Sequence, residues 1–240
     1  MYVQLLSDIH TEFWCQNDVR QLDQYISPAA DVLIVAGDLT TPNFLKRTLE
    51  HLSDQVPDLV YVTGNHCHYR SSIADVKSIL SGINKSNFHW LDNSATVIGG
   101  QRFLGGTLWF PANKDSLSPA MQYRISDFDL IDDIVPTAFQ ENKRCIDFLR
   151  KEVTSIDFVV THHLPSQACV DPRFLNSPLN CFFVGEADDV IVNNKPAHWA
   201  FGHSHSHTDM IIDQTRCIAN PLGYPGELGV NFDPHFLIEV

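Results

Sequence analysis

Five short polar clusters carry the chemistry of this chain: Asp8-Ile9-His10, Gly37-Asp38, Gly64-Asn65-His66, His162-His163 and Gly202-His203-Ser204-His205. Together they offer carboxylate oxygen, amide oxygen and imidazole nitrogen. That donor mix suits Mn, Fe, Zn, Co or Ni, whereas Mg and Ca prefer oxygen alone. No cysteine falls inside the clusters, which argues against a thiolate zinc site or an iron–sulfur centre. The set reads as a cage for two metal ions. A pair of ions about 3.5–4 Å apart can clamp both the attacking and the leaving oxygen of a phosphoryl displacement. Such a pair needs a bridging carboxylate, and Asp38 is the candidate, with Gly37 letting the backbone come close.

Each cluster follows an apolar run. Val3-Gln4-Leu5-Leu6 precedes Asp8, Val32–Ala36 precedes Gly37, and Leu59–Val62 precedes Gly64. Ile156–Val160 precedes His162, and His198–Phe201 precedes Gly202. Short runs rich in β-branched and aromatic residues, closed by glycine or polar residues, predict strands buried on both faces. In such α/β sheets ligands bind at the carboxyl ends of the strands, which is where all five clusters fall.

In order and content the clusters resemble the calcineurin-like metallophosphoesterases, whose pattern is D-x-H, G-D, G-N-H-[E/D], H and G-H-x-H. The resemblance spans residues 8 to 205. It implies two packed mixed β-sheets flanked by helices, an αββα sandwich. It further implies that Asp8, His10 and His205 hold one ion, that Asn65, His162 and His203 hold the other, and that Asp38 bridges. His66 is implied not as a ligand but as the group that stabilises or protonates the leaving oxygen. The implied activity is hydrolysis of a small phosphomonoester or phosphodiester by in-line attack of a metal-bridging hydroxide. The cofactors are two divalent or trivalent transition-metal ions (Mn, Fe, Zn, Co or Ni), with Mn favoured for assay. One departure stands out: Cys67 occupies the place of the usual acid after Asn65-His66, and a thiol supports a histidine poorly. A narrower resemblance, to a bacterial branch of the family, rests on Thr107-Leu108-Trp109, His162–Ser166, Thr215-Arg216, Asn220-Pro221-Leu222-Gly223-Tyr224 and Glu227. That branch usually has Arg where Leu222 stands.

The chain has 240 residues, 44% of them hydrophobic, enough for one large α/β domain over 1–240. No apolar run approaches the roughly 18 residues of a membrane span, and no signal peptide precedes the first strand. A cytoplasmic protein without membrane attachment is the expectation. Cysteines 15, 67, 145, 169, 181 and 217 form no CxxC pair and read as free thiols. The net charge is −13, and no Lys/Arg cluster offsets it, which argues against nonspecific nucleic-acid binding. Two cations at one point would still draw a small phosphoester to an otherwise repulsive molecule.

Strands are expected near 2–7, 31–36 and 58–63, with helices near 17–27, 42–53 and 71–82. Residues 88–108 read as antiparallel or mixed strands of a second sheet, followed by a long helix over 137–153. Strands near 207–213, 215–219 and 235–239 close the fold. Two loops, 110–136 and 163–184, are long enough to shape substrate choice. Within them Arg173 is a candidate phosphate clamp. The acidic run Asp127, Asp129, Asp132 and Asp133 reads as a solvated face. His163 stands as an alternative ligand or a substrate contact, and His68 as a group near the missing acid. A non-catalytic metal-binding or scaffolding module on the same fold is the alternative function. Turnover of phosphoesters separates the two.

Overall fold

We obtained a computed structural model of the chain, which describes residues 1–14 and 18–240. Cys15 and the start of the helix expected at 17 lie outside the described residues. The first half runs β1 (Tyr2–Leu6), β2 (Val32–Ala36), α1 (Pro42–Gln55), β3 (Asp58–Val62), the two-residue β4 (Ser71–Ser72), α2 (Ile73–Ser81) and β5 (Phe88–Trp90). Then come β6 (Ser94–Ile98), β7 (Gln101–Gly105), α3 (Pro119–Gln122), α4 (Asp127–Leu130), the short β8 (Ile131–Asp132), α5 (Ile134–Glu152) and β9 (Phe158–Val160). The chain closes with α6 (Asp188–Asn194), β10 (His198–Phe201), β11 (Thr208–Ile212), β12 (Thr215–Ala219) and β13 (Leu237–Glu239).

The strands form two main sheets, in the orders β13-β1-β2-β3-β5 and β11-β12-β10-β9-β7-β6. Inside each sheet the pairings are parallel, and antiparallel strands appear only at the edges. Ile34, Val60, Phe103, Phe158, Ala200 and Ile218 pack the layer between the sheets. The outer face of the first sheet is covered by α1 and α2 through Leu45, Leu49, Leu52, Val76 and Leu80. The outer face of the second is covered by α5 and α6 through Cys145, Leu149, Val190 and Ile191. The αββα sandwich expected from sequence is the observed architecture.

Local chemistry explains the helices. Pro42 sits in the first turn of α1, where its missing N–H costs nothing. Leu45, Leu49 and Leu52 then line one face, at the spacing of an amphipathic helix. In α2 the Ser72 hydroxyl accepts from the Asp75 amide and caps the first turn.

Two expectations change. Residues 19–25 form a 3-10 helix rather than an α-helix; only Leu22 is buried there, and Pro28 follows closely. Phe88–Trp90 pairs in parallel with β3, so it is the edge of the first sheet, and the second sheet starts at Ser94. The helix expected over 137–153 is present in α5, where Val135 has non-helical φ −111° and ψ 126°, so its regular turns begin close to residue 137. Among the described residues no helix is long and apolar enough to cross a membrane.

Candidate metal centre

The five clusters meet at the carboxyl ends of β1, β2, β3, β9 and β10. Their backbones are held in an uncommon conformation: Asp8, His10, Asp38, His203 and His205 all have positive φ, from 49° to 70°. A non-glycine residue in this left-handed region costs of order 1–3 kcal/mol, and such residues concentrate at functional sites. Cross-strand hydrogen bonds fix them there. The Asp8 amide donates to the Gly37 carbonyl (3.1 Å), and the Ile9 and His10 amides both donate to that of Asp38 (2.9 and 3.0 Å). The His203 amide donates to the Asp8 carboxylate (2.9 Å) and the His66 amide to that of Asp38 (2.9 Å). Two glycines are set by close approach. A Cβ on Gly37 would lie 2.2 Å from His162 Nδ1, and one on Gly64 would lie 2.2 Å from Asp38 Oδ1.

The side chains form three groups whose candidate ligand atoms lie within 4.8 Å of one another: Asp8, His10 and His205; His10, Asp38 and His66; Asp38, His162 and His203. Asp38 belongs to two of them. Its Oδ2 lies 3.4 Å from His162 Nε2 and 3.9 Å from His10 Nε2. Asn65 joins the group around His162, with Oδ1 3.1 Å from His162 Nε2.

These donors fit cations on three observations. His10 Nδ1 faces Glu12 Oε1 at 3.1 Å and His205 Nδ1 faces Glu227 Oε2 at 2.6 Å. Carboxylates accept, so both protons sit on Nδ1, and the two Nε2 lone pairs point at each other across 3.1 Å. Two acceptors facing at that distance call for a positive charge between them. His162 Nδ1 likewise donates to the Ala36 carbonyl (2.9 Å), which turns its Nε2 toward Asp38 and Asn65. Burial disfavours charge on His162, yet the Asp38 carboxylate outweighs it and lifts the pKa to about 9. Finally, His203 Nε2 is buried without a hydrogen-bond partner. Burial and the neighbouring His163 and His162 rings hold its pKa well below the usual value, so the ring is a neutral donor.

A carboxylate also stands behind His66, and it is not residue 67. Cys67 is buried in the core of the first sheet, its Sγ 3.0 Å from the Tyr61 hydroxyl. Glu12 takes the supporting place: the Oε1 that receives His10 also lies 3.1 Å from His66 Nδ1. The other ring nitrogen, Nε2, lies 3.2 Å from the Tyr224 hydroxyl. Burial opposes a charge on His66, but the carboxylates of Asp38, Glu12 and Asp127 together raise its pKa.

Two further supports escaped the sequence reading. Asp127 is buried, unlike exposed Asp129, Asp132 and Asp133. Its Oδ1 accepts from Asn65 Nδ2 (2.9 Å) and the Tyr69 hydroxyl (2.8 Å), which turns the Asn65 amide oxygen toward His162. The Asn220–Tyr224 stretch lies along the end of β1, with the Leu222 and Gly223 amides donating to the Ser7 and Asp8 carbonyls (2.9 Å each). Asn220 pins it by donating to the Leu5 and Asp233 carbonyls. This brings Glu227 to His205, and the Tyr224 ring to within 4.5 Å of the His10 ring.

The remaining candidates lie elsewhere. His163 is buried against Trp109, Phe110 and His203, with Nδ1 3.3 Å from the Thr107 carbonyl; burial drives its pKa down to about 3. Neither His163 nor Arg173 lines the cavity over the candidate ligands. The Arg173 guanidinium pairs with Asp171 (2.9 and 3.0 Å). His68 is buried against Trp109 (5.5 Å between rings) and joins none of the three ligand groups. That cavity, about 490 Å³, is walled by residues of both long loops, from Arg124–Asp127 on one side and Leu164–Phe183 on the other.

Residues 1–207 match the family model described as calcineurin-like phosphoesterase. An uncharacterized protein of Acanthamoeba polyphaga mimivirus is 25% identical over an alignment of 269 residues, which covers 98% of this chain and 95% of that one. Among solved structures, phosphopantetheinyl hydrolase from Mycobacterium tuberculosis superposes with a TM-score of 0.75 at 16% identity, covering 93% of this chain and 89% of that one. A putative 5'-nucleotidase from Staphylococcus aureus gives a TM-score of 0.52 at 14% identity, over 91% of this chain and 48% of that one. At these identities the likeness is one of fold.

Proposed function

This chain belongs to the calcineurin-like phosphoesterase family, and from that premise we propose that it hydrolyses a small phosphomonoester or phosphodiester. In this reading Asp8, His10 and His205 hold one metal ion, Asn65, His162 and His203 hold a second, and Asp38 joins them. The observation that carries it is the shared carboxylate: Asp38 Oδ2 faces His10 on one side and His162 on the other. When bound, the ions supply Lewis acidity toward phosphoryl oxygens and acidify water, so no covalent intermediate on the protein is required.

The chain's own groups do the rest. Glu12 fixes the His66 ring through Nδ1, which turns Nε2 and its proton toward the cavity. From there His66 stabilises or protonates the leaving oxygen, and the Tyr224 hydroxyl beside Nε2 keeps that nitrogen in a polar setting. Asp127 holds the Asn65 amide in the orientation that presents oxygen rather than nitrogen. The narrower resemblance to a bacterial branch rests on sequence alone. The role we infer for its Asn220–Tyr224 stretch is to bring Glu227 and Tyr224 to the site.

The test uses metal-stripped protein refilled with Mn and assayed on p-nitrophenyl phosphate and bis-p-nitrophenyl phosphate. Manganese-dependent turnover is the expected result, and the ratio of the two rates separates a monoesterase from a diesterase. Two bound ions without turnover of either ester, or of a wider panel, would overturn the reading in favour of a binding module.

A further inference from the structure

The cavity above the ligand atoms has a two-sided character. Its floor is Asp38, Asn65, His66, His203 and His205. Much of the rest is apolar, from Ile125, Val170, Phe174, Leu179, Phe182 and Phe183, with Ser126, Asp171, Ser177 and Asn180 among them. Phe182 is packed firmly, against Phe110 and Phe128 at 5.2 and 5.3 Å. Phe183 lies 4.4 Å from the His203 ring, so the apolar wall begins where the metal ligands end. At about 490 Å³ the space is far larger than a phosphoryl group needs and falls in the range of pockets that enclose a whole organic ligand.

Three of its acids are already committed. Asp171 is held by Arg173, Glu227 by His205, and Asp127 by Asn65 and Tyr69. Arg124 is the only lysine or arginine among the lining residues, and its side chain is exposed on the turn before α4. Apart from Arg124, no lysine or arginine lines the cavity to neutralise a second anion, and burying an unpaired charge against the apolar residues is costly.

Resting on the phosphoesterase reading above, we propose that the alcohol part of the substrate is an uncharged alkyl or aryl body seated along Phe174, Leu179 and Phe183. Phosphoesters with a second anionic group at the far end, such as nucleoside polyphosphates and sugar bisphosphates, are then discriminated against.

Calorimetric binding of phosphonates to the Mn-loaded full chain tests this without turnover. The series is methyl-, butyl- and octylphosphonate, with 8-phosphonooctanoate as the anionic counterpart. The expected affinity rises by about fourfold for each methylene that leaves water, and the terminal carboxylate removes most of that gain. Replacing Phe174, which is half exposed, together with Leu179 by alanine should flatten the dependence on chain length. Methylphosphonate binding with an affinity flat across the series would overturn the inference and leave the phosphoesterase reading standing. Tighter binding of the carboxylate, lost in Arg124→Ala, would overturn it in favour of a dianionic substrate. Absence of phosphonate binding, together with absence of Mn-dependent turnover, would remove both.

Discussion

The two ligand groups around Asp38 differ in what stands behind their imidazoles. His10 and His205 each donate to a carboxylate, Glu12 and Glu227. His162 donates to a neutral backbone carbonyl, and His203 is packed between the His163 and Phe183 rings. The first group also contains a charged ligand of its own, Asp8, where the second has the neutral amide of Asn65. A carboxylate behind a histidine raises its basicity as a ligand, so the first group is expected to be the stronger cation site. The second is gathered by packing and burial instead. On the proposed assignment, one centre would join two sites of unequal strength through the Asp38 carboxylate.

The largest effect should come from removing what the two sites share. Asp38→Ala is expected to abolish turnover and empty both sites, as read by elemental analysis after gel filtration. Full retention of one ion would break the idea that Asp38 serves both. Next comes the inequality itself. Chelator titration of Mn-loaded protein should release the ions in two steps separated by about 10–100-fold in chelator concentration, the span typical of support from behind a ligand. A single step would make the groups equivalent. Glu227→Gln should then narrow the gap by roughly 10-fold, by weakening only the site of His205. Glu12→Gln should have a smaller effect on metal affinity, but it should slow esters of poor leaving groups more than p-nitrophenyl phosphate, because it frees His66 as well as His10. Smallest is Cys67→Ala, expected to cost ~1 kcal/mol in urea unfolding and to leave the leaving-group dependence as it is. A change in that dependence would return the supporting role to position 67.

Glu12 and Asp127 mark where the sequence stops being legible. The candidate ligands could be read because each sits just beyond a strand such as Val32–Ala36, whose residues are fully buried on both faces. Sheet architecture then carries such residues to one edge. The supports behind them follow no period. Glu12 lies two residues past His10, but its second partner is 54 residues further along the chain. Asp127 shares an acidic run with three exposed residues, and only the inward turn at the start of α4 sets it apart. Cys67 reads as a lost carboxylate for His66 because sequence adjacency suggests one supplier, whereas the folded chain supplies it from beyond the end of β1, two strands away in the sheet. The same limit explains β5: Phe88–Trp90 looks like its successors β6 and β7, and only pairing with β3 assigns it to the first sheet.

The Asn220–Tyr224 stretch against β1 also sets a timetable. The first group joins Asp8 and His10 to His205 and its buttress Glu227, and the Asp8 carboxylate receives an amide 195 residues away. At a synthesis rate of ~5–20 residues per second, roughly 10–40 s pass between the two ends of that contact. Until then the first strand has its acid and histidine but neither the second imidazole nor the glutamate behind it. On the proposed assignment, cation capture at this group would be a late event in the life of the nascent chain, after the first sheet has had time to form.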